Sequence, residues 1–179
     1  MAAVHEPSET ERARSISVAY HFASARDLFE AARDAAKDAE TCKRQLNAIE
    51  RKALRVASPS FEARVSGGDH DRIGADVAAL VDREAELQAQ IDADYDLIDA
   101  ACMVLYGRDG MSDGLASIAP AWWADAIYHH FLALRPWAEV GELLGISKSY
   151  VSKQASAAFD LMDANGMAAT VEGRGDAEG

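Results

Sequence analysis

Cysteine is scarce in this chain, with two in 179 residues. Cys42 and Cys102 both fall inside helical pattern, so neither a disulfide framework nor a zinc cluster is expected. Proline is nearly as rare, at four residues, and β-branched runs are missing while alanine abounds. That mix disfavours sheet and favours helix throughout. No apolar stretch approaches the ~18–20 residues needed to cross a bilayer, and no signal-peptide core is evident. A cytoplasmic protein with reduced thiols is the expectation. Positive charge is in short supply too: 18 Lys and Arg face 30 Asp and Glu, a net charge of -12. A non-specific nucleic-acid coat would be basic, so any polyanion contact must come from a small local surface. The sequence contains no nucleophile–base pair, glycine-rich phosphate loop or pair of catalytic carboxylates, so neither an enzyme nor a cofactor is expected.

What is present is apolar content of 49%, enough for a real core. The reading is all-α: a long antiparallel coiled-coil hairpin followed by a tri-helical unit. Residues 1–14 read as a flexible N-terminus, although Ser8 and Glu11 have capping-box spacing and could start the first helix. Residues 15–106 read as the hairpin. Its first apolar stripe runs Ala25, Leu28, Ala32, Ala35, Ala39, Cys42, Leu46, Ile49, Ala53 and Val56, a sustained heptad seam. Pro59, Gly67 and Gly68 break the helix, and Asp69 is a good N-cap for the next. The second stripe runs Ile73, Val77, Leu80, Glu84, Leu87, Ile91, Asp94, Ile98, Ala101 and Leu105. A loop centred near residue 62 pairs positions whose numbers sum to roughly 125. Cys42 then faces the neighbourhood of Glu84, and Tyr20, Phe22 and Phe29 lie beside 97–106. Residues 107–118 read as a Gly-rich connection, 119–165 as the tri-helical unit and 166–179 as a flexible tail.

The run Trp137 to Ser156, "WAEVGELLGISKSYVSKQAS", carries the strongest pattern. Pro136 begins a short helix and Gly145 ends it at a left-handed position. Ser147 caps a new helix that opens "KSYVSKQ". Two helices joined by a Gly-containing turn of three to four residues are a helix-turn-helix. Gly141 falls where the helices cross, and Val140, Leu144, Ile146 and Val151 close a small core.

The residues "W-x-E-V-x-x-L-L-G-I-S-K-S-Y-V-S-K", Trp137 to Lys153, resemble region 4 of bacterial sigma-70-type factors. They are similar also to the sigma-region-4-like regulators encoded by phages and prophages of Gram-positive bacteria. "ADAIYHHFLAL" stands where those proteins place the preceding helix. The resemblance covers Ala121 to Met162 and implies a DNA-binding transcriptional regulator that reads double-stranded DNA with the helix from Ser147. It implies that Lys148, Ser149, Tyr150, Ser152, Lys153 and Gln154 face the duplex along with Ser147, and that Arg135, Pro136 and Trp137 lie near phosphate. The chain departs from the pattern at Gln154, where an aliphatic residue is usual, and at Ser156 and Ala157, where basic residues are usual. With Arg135, Lys148 and Lys153 as the unit's cations, one copy binds weakly. A second copy, or a partner such as RNA polymerase already on DNA, is therefore expected.

Other readings stand beside these. The tri-helical unit can serve a scaffold or adaptor that binds no DNA, and a coiled coil with a helix-turn-helix also suits a small DNA-packaging recognition subunit. His129 and His130 are adjacent on a helix and point to different faces, without the carboxylates or thiols of a metal site. "DADYD", Asp92 to Asp96, begins like a calcium loop but has Leu97 where glycine is required. The basic group Lys43, Arg44, Arg51, Lys52 and Arg55 is expected to pair with Asp76, Asp82 and Glu86 across the hairpin.

Overall fold

The computed structural model describes Ser17, Ala19 and residues 21–56, 70–108, 110 and 113–174. Every regular element among them is helical. Helix α1 spans Ala25–Val56 and α2 spans His70–Tyr106, followed by α3 at Leu115–Ile118. Helix α4, Ala121–Ile127, continues directly into a π-helical turn at Tyr128–Leu132. Helices α5 (Trp137–Leu144), α6 (Lys148–Asn165) and α7 (Met167–Val171) complete the order. The expected capping box at Ser8–Glu11, Tyr20, the breakers Pro59, Gly67 and Gly68 and the cap Asp69 lie outside the described residues. No helix among the described residues is long and apolar enough to cross a membrane.

Helix α1 does not run unbroken from the N-terminus as expected; the chain leaves helical geometry at residues 21–24 and restarts. Two side chains explain the restart. Ser24 Oγ accepts from the Asp27 amide at 3.1 Å, and Asp163 Oδ1 accepts from the Ala25 amide at 2.6 Å. Both satisfy amides that have no partner within a helix's first turn.

The chain divides into two compact units, residues 38–93 and the remainder. In the larger unit, Phe29 is the hub of the core. Its ring lies 6.1 Å from Phe131 and 5.7 Å from Phe159, and those two rings are 5.5 Å apart. Leu28, Ala101, Val104, Leu105, Leu115 and Ile127 are fully enclosed in the same cluster. Each such Leu, Val or Ile side chain removed from water contributes about 1.5–3 kcal/mol. Trp123 packs against this cluster. Asp94 is buried on the seam of α2.

Two elements go beyond the sequence reading. The connection at 107–118 contains α3, whose Leu115 is fully buried. The tail expected to be flexible from residue 166 forms α7, with Thr170 and Val171 buried. Thr170 Oγ1 donates to the Gly166 carbonyl at 3.0 Å and accepts from Asn165 Nδ2 at 3.1 Å, so the polar side chain enters the core satisfied. Val171 joins the main core, which is what holds the segment in place.

In the smaller unit, Cys42 packs with Leu87 and Ile91, and Leu46 and Ile49 lie against them. Arg83 Nη2 donates to Gln45 Oε1 at 3.3 Å across the pair. The register is therefore about one turn away from the one that placed Cys42 opposite Glu84; apolar fit sets it, not the midpoint of the loop. Glu84 is exposed, and the seam loses its cover at Ala53 and Val77. Arg44 and Arg51 donate to carbonyls one turn back on α1, at 3.2 and 2.9 Å.

Candidate nucleic-acid interface

Gly145 ends α5 with φ 70° and ψ 26°, the left-handed conformation that L side chains resist. Its amide closes on the Glu142 carbonyl at 3.2 Å, and the Ile146 amide on that of Gly141 at 2.9 Å. Ser147 caps α6 in extended geometry, its Oγ accepting from the Tyr150 amide at 3.3 Å. Gly141 is needed for a different reason. A Cβ placed there would lie 2.7 Å from the Ile146 carbonyl oxygen and 3.2 Å from the Lys148 nitrogen. Val140 and Val151 are fully buried between the helices with Ala126, and Trp122, Leu144 and Ile146 pack around them. This is helix-turn-helix geometry, built by the residues that announce it.

Helix α6 has a clear inner side: Val151, Ala155, Ala158, Phe159 and Met162 are buried at helical spacing. Its opening turns leave Ser147, Lys148, Ser149, Tyr150 and Lys153 exposed, with Ser152 and Gln154 half-buried. Tyr150 keeps 49% of its surface in solvent while its ring stacks on Trp122 at 6.1 Å. Ser152 Oγ donates to the Ser149 carbonyl at 3.2 Å, and Ser156 Oγ to that of Ser152 at 3.3 Å. Arg135 and Pro136 are exposed at the mouth of α5. Trp137 is half-buried at the start of α5. Its ring stacks on His130 at 3.8 Å and meets Phe131 edge-on at 6.2 Å, so its aromatic surface faces inward.

The seat of Trp137 depends on the π turn. His130 sits in it, buried, and its Nδ1 lies 2.7 Å from the Arg135 carbonyl. A carbonyl can only accept, so Nδ1 carries the proton and the neutral ring offers Nε2 as acceptor. Arg33 Nη1 lies 3.4 Å from that nitrogen. Burial holds the His130 pKa below the ordinary range and the Arg33 charge lowers it further; the Arg135 carbonyl works against both. Between the π turn and Pro136, Leu134 adopts φ 57°, a left-handed conformation costly for a branched side chain. Such strain gathers where geometry is over-determined by its surroundings, here by the proline on one side and the packed histidine on the other.

Sequence reasoning missed the side of α1 that borders α6. Arg26, Arg33 and Lys37 share a cleft of about 550 Å³ with Ser152, Lys153 and Ser156. Arg26 Nη2 donates to Ser156 Oγ at 3.3 Å, and its guanidinium lies 4.8 Å from the centre of the Phe159 ring. The spacing Arg26, Arg33, Lys37 was legible as one helix face. Nothing in the linear pattern connected that face with α6. No family model matches the chain, and no curated protein or solved structure matches it either.

Proposed function

We propose that this chain is a sequence-reading DNA-binding protein, a transcriptional regulator of sigma-region-4-like design, with α6 entering the major groove. The observation that carries the reading is the asymmetry of α6. One side closes the core, while Lys148, Ser149 and Lys153 stand in solvent at its opening turns, next to a left-handed glycine turn. Short hydroxyls and lysines at the start of such a helix suit base edges and phosphates. The chain's net charge of -12 disfavours non-specific coating, so a DNA contact rests on a local surface.

The test is a titration with duplex from upstream of the protein's own coding sequence, at low and moderate salt. The parent binds, and Lys148→Ala with Lys153→Ala weakens binding at least about tenfold, close to 1.4 kcal/mol. Equal binding by both proteins, or none by the parent, rejects the reading.

The working form proposed is a homodimer. The distal part of the hairpin carries an apolar groove of about 680 Å³ lined by Ile49, Ala53, Leu54, Val77, Leu80 and Val81. Paired hairpins bury such grooves against each other as a four-helix bundle. A second copy also doubles the small number of cations that meet phosphate. RNA polymerase, already on the promoter, is the partner that the resemblance favours for a copy acting at its own site. The second reading, a helical scaffold that binds protein and not DNA, draws on the same apolar groove.

A further inference from the structure

We propose that the cleft between α1 and α6 is a phosphate site that holds a phosphodiester of the DNA backbone beside the groove read by α6. The inference rests on the DNA-binding reading and extends it to an element that the sequence pattern assigned to the hairpin alone. Four cationic side chains, Arg26, Arg33, Lys37 and Lys153, share the cleft with two carboxylates, Glu30 and Asp34. Lys37 lies 2.7 Å from Asp34, so that carboxylate is already answered. The remaining balance is positive, in a chain that is acidic overall.

The arrangement of donors is what makes the cleft more than a basic patch. Arg33 Nε is buried and makes no hydrogen bond among the described residues. Its Nη1 is turned to His130 Nε2, which anchors one edge of the guanidinium. With Nε enclosed and Nη1 turned to His130, the guanidinium is held in a fixed orientation on the cleft wall, where its charge and planar donors suit an oxyanion. Arg26, two turns earlier on the same face of α1, is held by Ser156 and the Phe159 ring. Lys153 belongs to both surfaces: it lines the cleft and stands on the exposed opening of α6. A strand whose bases meet Ser149 and Lys148 thus passes its phosphates toward Lys153 and the arginines. The cleft also answers why α6 is poor in basic residues at Ser156 and Ala157, because α1 supplies the charge at that point.

The experiment has two arms on the full chain. In the first, the slope of log affinity against log salt is measured on duplex DNA for the parent, Arg33→Gln and Arg26→Glu. Each phosphate that a variant no longer neutralises makes the slope shallower by about 0.9, equally across DNA sequences. Arg26 is exposed, so Arg26→Glu leaves the core intact and serves where Arg33→Gln fails to fold. In the second arm, inorganic phosphate is titrated against chloride at equal ionic strength while the His130 ring signals are followed by NMR. Shallower slopes in the variants establish the duplex as the source. Unchanged slopes, or no DNA binding, with phosphate-induced shifts that vanish in Arg26→Glu, assign the cleft to a free phosphate ligand instead. DNA binding with unchanged slopes and no response to phosphate overturns the cleft while leaving the DNA reading standing. Silence in both arms removes both.

Discussion

Gly141 and Gly145 are four residues apart and fail in different ways when replaced. Gly145 has open space around a hypothetical Cβ, so its only demand is the positive φ. Gly145→Ala is expected to cost about 1–2 kcal/mol, and Gly145→Asn distinctly less, because asparagine tolerates the left-handed region. Gly141 has ordinary helical geometry but no room, with backbone atoms as its neighbours. Gly141→Ala is expected to cost about 1–3 kcal/mol by forcing α5 and α6 apart, and no choice of side chain recovers it. Urea unfolding of the three variants checks this; an asparagine at 145 as costly as alanine contradicts the conformational account. His130 gives a pH signature of opposite origin. Its folded pKa lies below the unfolded value of about 6.5, so above that pH it is neutral in both states and contributes no pH dependence. As pH falls through 6.5 the unfolded chain binds the proton first, and stability declines until the folded ring also titrates. The midpoint of thermal unfolding should therefore fall further between pH 7.5 and 5 for the parent than for His130→Gln. Parallel curves would place the acid sensitivity elsewhere. His130 itself was legible in the sequence only as one of two adjacent histidines on different faces. Its partner Arg33 lies 97 residues earlier, in a segment that no spacing rule joins to it.

At the level of elements, the helix-turn-helix was readable because each of its requirements is local. Gly145, Ser147 and the Val140–Val151 pair lie within a dozen residues, and backbone sterics fix their roles. The heptad seams were readable for the same reason, and they fail where tertiary context takes over. The start of α1 shows how. The first helix was expected to run through residues 21–24, yet Ser24 and Asp163 together make a restart there favourable. Asp163 lies 138 residues further on, out of reach of any pattern rule. The π turn is equally hidden, since Tyr128 to Leu132 has ordinary helix-forming composition and only the contact of His130 with Arg135 reveals the extra residue. Helix α7 was hidden because its polar Thr170 is buried with its hydrogen bonds met inside its own neighbourhood. The cap of α1 carries a prediction of its own. Asp163 places an acceptor and a negative charge at the positive end of a 32-residue helix. Asp163→Ala should destabilise the protein by about 1 kcal/mol, and Asp163→Asn by less, because the amide oxygen still accepts. If circular dichroism and urea unfolding rank asparagine with alanine, the carboxylate's charge and not its hydrogen bond is what matters.

For the whole molecule, charge and apolar exposure have to be reconciled. A net charge of -12 opposes both DNA binding and self-association, so each must rest on a concentrated local surface. For the proposed DNA contact that surface is the opening of α6 with the cations near it. For the proposed self-association it is the distal hairpin, where Leu54 is 72% exposed and Val81 58% exposed. Solvated leucine and valine on the two walls of one groove are a poor final state for a long hairpin, and the proposed second copy would cover them symmetrically. Leu54→Glu combined with Val81→Glu adds two charges to each copy without touching the buried trio Cys42, Leu87 and Ile91. Light scattering at micromolar concentration should then give a dimer of 19.2 kDa chains for the parent and a monomer for the variant, with helical content unchanged. Affinity for DNA should fall when the dimer is split, because one copy neutralises too few phosphates, and a covalent tether between two variant copies should restore it by effective concentration. A parent that is monomeric and still binds DNA tightly would show that the cations of one copy suffice, and would leave the exposed groove to a partner of another kind.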